Sequence, residues 1–152
     1  MMSQEDRTVA IVGCGVIGMG WAALFLSRGL KAIISDPAEW AEDTLKRYLE
    51  QAKPFIEEHG TFEQHVTNYE FVRGHRAENG PERQGFKKGL LKTLDEHARP
   101  GVVIASSSSC LPSSAFIQQC EKDLSRVLIG HPFSPPHSIP LVEAVRNFGT
   151  SD

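Results

Sequence analysis

The sequence predicts an α/β protein built on a doubly wound, mostly parallel sheet with flanking helices. Short β-branched runs alternate with stretches of helical periodicity, a glycine cluster closes the first run, and no internal repeat or long low-complexity tract breaks the alternation. At 152 residues with 40% hydrophobic content the chain is sized for one domain, residues 1–152.

TVAIVG (8–13) reads as the first strand, and VIGMGWAALFLSR (16–28) has helix composition with Gly29 as its stop. KAIIS (31–35) is a second buried strand. Asp36 and Pro37 then open a helix whose apolar positions Ala41, Leu45, Tyr48, Leu49, Ala52, Phe55 and Ile56 keep a spacing of three to four, with Pro54 as a kink or end. From His59 to Ala77 only NYEFV (68–72) reads as a strand. A helix resumes after Pro81 through Phe86, Leu90, Leu91 and Leu94, stops before Pro100-Gly101, and yields to the strand VVIAS (102–106). After a serine-rich turn, residues 112–122 read as a helix from a proline start. RVLIG (126–130) is a strand that delivers His131 at its end, and IPLVEAV (139–145) is the last extended run.

A formal charge of -3, from 16 basic and 19 acidic residues, lacks the polyelectrolyte signature of nucleic-acid or anionic-membrane binding, so a small-molecule partner is expected. The three cysteines, Cys14, Cys110 and Cys120, are odd in number and lack CxxC spacing, which suggests neither a disulfide framework nor a metal site. MMSQEDRT has no apolar leader pattern, and no run reaches membrane-spanning length; a soluble cytoplasmic protein is the expectation.

GCGVIG (13–18) matches GxGxxG, a weak signal alone that gains weight from lying between a strand and a helix. There Gly13 permits a tight turn, Gly15 lets a pyrophosphate approach the backbone, and Gly18 lets helix and strand pack closely. The N–H groups around Val16 and Ile17, at the positive end of the helix dipole, suit phosphate charge. Asp36 ends the second strand 18 residues after Gly18, where a carboxylate accepts both ribose hydroxyls and repels a 2′-phosphate; this favours NAD over NADP in a Rossmann-type domain. Asp36 before Pro37 is also a good N-cap for the helix that follows it, a role compatible with ribose binding.

Chemistry needs further groups. His131 falls at a strand's C-terminal end, where open α/β sheets bind ligands, and an imidazole suits removal of a hydroxyl proton as the carbonyl forms. Glu143, twelve residues on, can accept from the other ring nitrogen and fix its tautomer, with prolines 132, 135, 136 and 140 as a stiff connection between the two. The run Ser106–Ser109 is either a solvated turn and cap or a source of a hydroxyl donor to substrate oxygen. No GxSxG elbow is present.

Taken together, GCGVIGMGWA, ENGPER (78–83), SSSSCLP (106–112) and HPFSPPHSIPLVEAV (131–145) resemble the NAD-binding domain of the 3-hydroxyacyl-CoA dehydrogenase family over nearly the whole chain. Within it, SSSSCLP and the HPF-PP-IPLVE pattern look closest to the lambda-crystallin/L-gulonate 3-dehydrogenase and carnitine dehydrogenase branch. The resemblance implies NAD-dependent oxidation of a 3-hydroxy substrate, as in fatty acid metabolism. It places the family's catalytic pair on His131 and Glu143, its substrate serine on Ser109, and its NAD contacts on Val16, Ile17, Asp36, Glu78 and Arg83. Departures are Ser134 in place of Asn, Arg83 in place of Lys, and a region before Glu78 that is some twenty residues shorter than the family pattern, as if a strand were missing from 59–77. Family members also continue into a helical domain that completes the substrate pocket and forms a homodimer. An NAD-binding module without turnover is therefore the alternative expectation.

Overall fold

Parallel pairing of β-branched strands organises the first part of the chain. The structure, a computed structural model, describes residues 7–59, 67–74, 84–139 and 141–150. Thr8–Val12 (β1) pairs in parallel with Lys31–Ser35 (β2), and β2 with Tyr69–Val72 (β3). With β2 central, its Ala32 and Ile34 are fully buried. Between β1 and β2 runs the helix Val16–Ser27 (α1), apolar nearly throughout, with Ala22, Ala23 and Leu26 fully buried. It ends in a Schellman motif: the Leu30 N–H donates to the Phe25 carbonyl and the Gly29 N–H to the Leu26 carbonyl, with Gly29 at a φ of 75°.

Ala41–His59 (α2) buries Ala41, Leu45, Leu49, Ala52 and Ile56 of the stripe read from the sequence, with Tyr48 and Phe55 partly buried against the same core. Two expectations about its limits are corrected. The helix begins at Ala41 and not at Asp36-Pro37, because Asp36 Oδ1 accepts from the Ala38 N–H at 2.9 Å and folds residues 36–38 into an Asx turn. Pro54 does not end it either; Ile56, fully buried one residue past Phe55, keeps the apolar stripe in the core and carries the helix on to His59.

The remaining elements are Gln84–His97 (α3), Ile104–Ser106 (β4), Val127–Pro132 (β5) and Val142–Arg146 (β6). β4 runs parallel to β5, and β6 antiparallel to it. Their core holds Leu91, Ile104, Phe116, Ile117, Val127 and Ile129. A buried ion pair braces it: Arg126 donates to Asp95 Oδ1 at 2.9 Å and to the carbonyls of Asp95 and Arg99, while Asp95 also accepts from the Lys122 and Asp123 N–H groups.

The helix expected over 112–122 is a single 3-10 turn, Ser113–Ala115. Its bonds are mostly of the i to i+3 kind, and the Gln118 side chain donates to the Ser114 carbonyl, taking the acceptor that an α-helix would give to the Gln118 backbone.

The chain divides into two compact units, Met1–Asn79 with Phe133–Pro140, and Gly80–Pro132 with Leu141–Asp152. Each unit has its own three-stranded sheet, ordered β1-β2-β3 in the first and β4-β5-β6 in the second. The architecture is α/β and mostly parallel, as the sequence predicts.

Candidate functional site

In the first unit the three motif glycines sit in three different environments. Gly13 has a φ of 99°, the left-handed region that favours glycine, and its N–H donates to the Ser35 carbonyl at 2.8 Å, so the turn leaves β1 while bonded to the end of β2. A Cβ at Gly18 would overlap the Gly13 carbonyl oxygen and lie 3.5 Å from Ile11 Cγ2; only glycine lets α1 start this close to β1. A Cβ at Gly15 would meet nothing within 4 Å. The open space lies beside the N-terminus of α1, where Gly15 is the N-cap, no side chain caps the helix, its first turn holds no acidic residue, and Val16 is exposed. First-turn N–H donors with no side-chain cap among the described residues, beside the open space at Gly15, fit a pyrophosphate.

Asp36 follows β2 directly, at the same end of the parallel pair as the glycine turn. Its side chain is fully buried, with Oδ2 accepting from the Cys14 N–H at 2.7 Å and Oδ1 from Ala38. It therefore braces the glycine turn and does not cap α2. The Cys14 thiol, buried beneath it, is pushed up to about 12 by burial first and by the Asp36 carboxylate second, so it stays a neutral packing group. Glu78 and Arg83 lie outside the described residues.

In the second unit β4 and β5 are parallel, with Ser106 opposite Ile129, so the serines after β4 and His131 lie at one end of the sheet. Ser108 turns inward and donates to the Leu111 carbonyl, whereas Ser109 is exposed beside Cys110. His131 and Glu143 are direct cross-strand partners on β5 and β6, with Nδ1 3.6 Å from Glu143 Oε2. This corrects the expected origin of their proximity: an antiparallel ladder, and not a stiff proline connection, sets their spacing. Glu143 is 64% exposed and His131 27%, so the pair opens to solvent on the carboxylate side.

Gly20, His137, Asp95 and Arg126 carry no functional motif in the sequence, and Tyr48 stands there only as an apolar position of α2. Two of them left a trace. A glycine inside a helix costs about 1 kcal/mol against alanine, so Gly20 signalled a close approach. Asp95, four residues after Leu91, stands on the apolar face of its helix and asked for a buried partner.

Residues 8–152 match the family described as 3-hydroxyacyl-CoA dehydrogenase, NAD binding domain. A 3-hydroxyacyl-CoA dehydrogenase of Gibberella moniliformis is 65% identical over 159 residues, covering 99% of this chain and 49% of that protein. An L-carnitine dehydrogenase of Streptomyces coelicolor is 44% identical, covering 95% of this chain and 49% of its own length. The chain thus spans about half the length of these curated relatives. Among solved structures, a 3-hydroxybutyryl-CoA dehydrogenase of Escherichia coli superposes with a TM-score of 0.82 at 22% identity, over 95% of this chain and 33% of that one, a likeness of fold. Sequence and fold agree, and the chain belongs to the 3-hydroxyacyl-CoA dehydrogenase NAD-binding domain family, whose cofactor is NAD.

Proposed function

We propose that the chain is the cofactor-binding and proton-transfer part of an NAD-dependent oxidoreductase acting on the 3-hydroxyl of an acyl-CoA or related 3-hydroxy acid. The observation that carries this reading is the cross-strand pair of His131 and Glu143 at the C-terminal end of the strands. Gly13 and Gly18 shape the glycine turn, Gly15 with the N–H groups of Val16 and Ile17 faces the pyrophosphate, and Asp36 is assigned the ribose, with Glu78 and Arg83 as further contacts from the family resemblance. When bound, NAD supplies the hydride acceptor.

Nδ1 is the ring nitrogen that faces Glu143, and Nε2 is the atom assigned to take the proton of the substrate hydroxyl. Glu143 selects the tautomer with its proton on Nδ1 and stabilises the imidazolium that forms; the 3.6 Å separation is one that shortens when substrate excludes water. Ser109 donates its hydroxyl to the substrate oxygen. The relatives' names, one for acyl-CoA and one for carnitine, support a 3-hydroxy substrate. Residues 1–152 act as one NAD-binding domain, and an odd number of cysteines without CxxC spacing supports a cytoplasmic location.

Titration of the purified chain with NADH, followed by assay with 3-hydroxybutyryl-CoA, carnitine and gulonate, tests the reading. Saturable NADH binding with turnover that His131→Gln abolishes is the expected result. Binding without turnover on any of the three would instead favour an NAD-binding module, and failure to bind NADH would sink both.

A further inference from the structure

Residues 133–141 connect β5 to β6 and so join His131 to Glu143 along the backbone. Nine residues are more than two adjacent antiparallel strand ends need, since about two to five close a hairpin. The extra length is anchored. The Ser138 and Ile139 N–H groups both donate to the Pro135 carbonyl, at 3.0 and 3.1 Å, and fold the segment into a turn. Pro136 packs so closely on α1 that any Cβ at Gly20 would overlap its ring and lie 3.3 Å from its nitrogen. His137 stands edge-on to two rings of α2, with centroids 5.6 Å from Tyr48 and 5.3 Å from Phe55, and its Nδ1 lies 3.1 Å from the Tyr48 hydroxyl. The segment packs as part of the first unit, although the strands on either side of it belong to the second.

We propose that His137 is a positioning residue: clamped by Tyr48 and Phe55, it pins the strap 133–139 to α1 and α2 and thereby restrains the strand ends that carry His131 and Glu143. The clamp stands on its own geometry; only its consequence for catalysis rests on the roles proposed above for His131 and Glu143.

Burial alone pushes the His137 imidazole below its ordinary range, and burial pushes the Tyr48 phenol up, so a protonated phenol faces a neutral ring across the 3.1 Å contact. Tyr48 is the titratable group that faces His137 from α2; Phe55 is uncharged, and α1 meets the strap at Gly20, which has no side chain. With its folded value lowered, His137 supports docking fully above the ordinary imidazole range and loses that support as pH falls through this range to the lowered value.

Hydrogen exchange of the full 152-residue chain at about pH 7.5 and about pH 5.5, on either side of the ordinary imidazole value, tests this. After correction for intrinsic rates, Ser138 and Ile139 should exchange roughly five- to tenfold faster at the lower pH, the loss of one hydrogen bond. His137→Gln keeps an acceptor for Tyr48 but cannot be charged, and should stay protected at both pH values. His137→Ala should lose protection at both and broaden or shift the His131 ring resonances. Tyr48→Phe, which keeps the ring, should give an intermediate loss even where the alanine variant does not fold. A glutamine variant as pH-sensitive as wild type, or an alanine variant with unchanged strap protection and His131 signals, overturns the proposal. Failure of the wild-type chain to bind NADH would overturn the proposed function while leaving the exchange readout intact.

Discussion

Gly18 starts its helix so close to β1 that the space for its missing Cβ is already filled by the Gly13 carbonyl oxygen, whereas the same space at Gly15, three residues earlier, is open. One motif thus contains a glycine required by packing and a glycine beside open space.

Gly18→Ala should lower stability, because an overpacking cost of roughly 1–3 kcal/mol exceeds the helix-propensity gain of about 1 kcal/mol. Gly15 has a φ of -76°, which alanine adopts freely, so Gly15→Ala should melt as wild type does and yet bind NADH roughly tenfold or more weakly. Thermal melts paired with NADH titrations check both. Equal effects of the two changes on melting would refute the division.

Glu143 is largely exposed and 3.6 Å from His131, so Glu143→Gln should change stability by less than about 1 kcal/mol. If it orients the base, turnover of a 3-hydroxy substrate should fall roughly 10- to 100-fold, less than the ~10²–10⁴ of general base catalysis itself. Unchanged turnover with a lowered melting temperature would make Glu143 a strand partner only.

Burial opposes ionisation of Asp95, but Arg126 and the N–H groups of Lys122 and Asp123 outweigh it and hold the carboxyl below its ordinary value. Asp95→Asn strands the buried Arg126 charge and should cost about 3–5 kcal/mol at neutral pH. A lowered folded value contributes stability above the ordinary carboxylate range, near pH ~4, and loses it as pH falls through the folded value. Urea melts should therefore show the gap between wild type and variant narrowing on acidification; a constant gap would show that the ionised carboxylate is not its source.

Cys14 and Cys120 are buried, with thiols pushed up chiefly by burial, and Cys110 is exposed. Iodoacetamide at about pH 8 should label Cys110 in the folded chain and the other two only on unfolding. Labelling of Cys14 as fast as Cys110 would mean that the glycine turn opens readily.

Sequence alone determined the features set by a residue and its near neighbours. The strands 8–12, 31–35 and 69–72, the apolar stripe of α2, the Gly29 stop, the Gly13 turn and the close packing at Gly18 follow from periodicity and backbone freedom, which act over a few residues. Tertiary structure decided where polar side chains spend their hydrogen bonds. Asp36, legible as a strand-end carboxylate, turned inward to the Cys14 N–H and not to a helix start; Gln118 diverted a carbonyl from the expected helix; Asp95 found Arg126 thirty-one residues away; and His137 found Tyr48 across eighty-nine. His131 and Glu143 show both levels at once. Their residue types and spacing proposed a pair, but only the register of β5 against β6 set them face to face, because cross-strand contact depends on a ladder that no local period specifies.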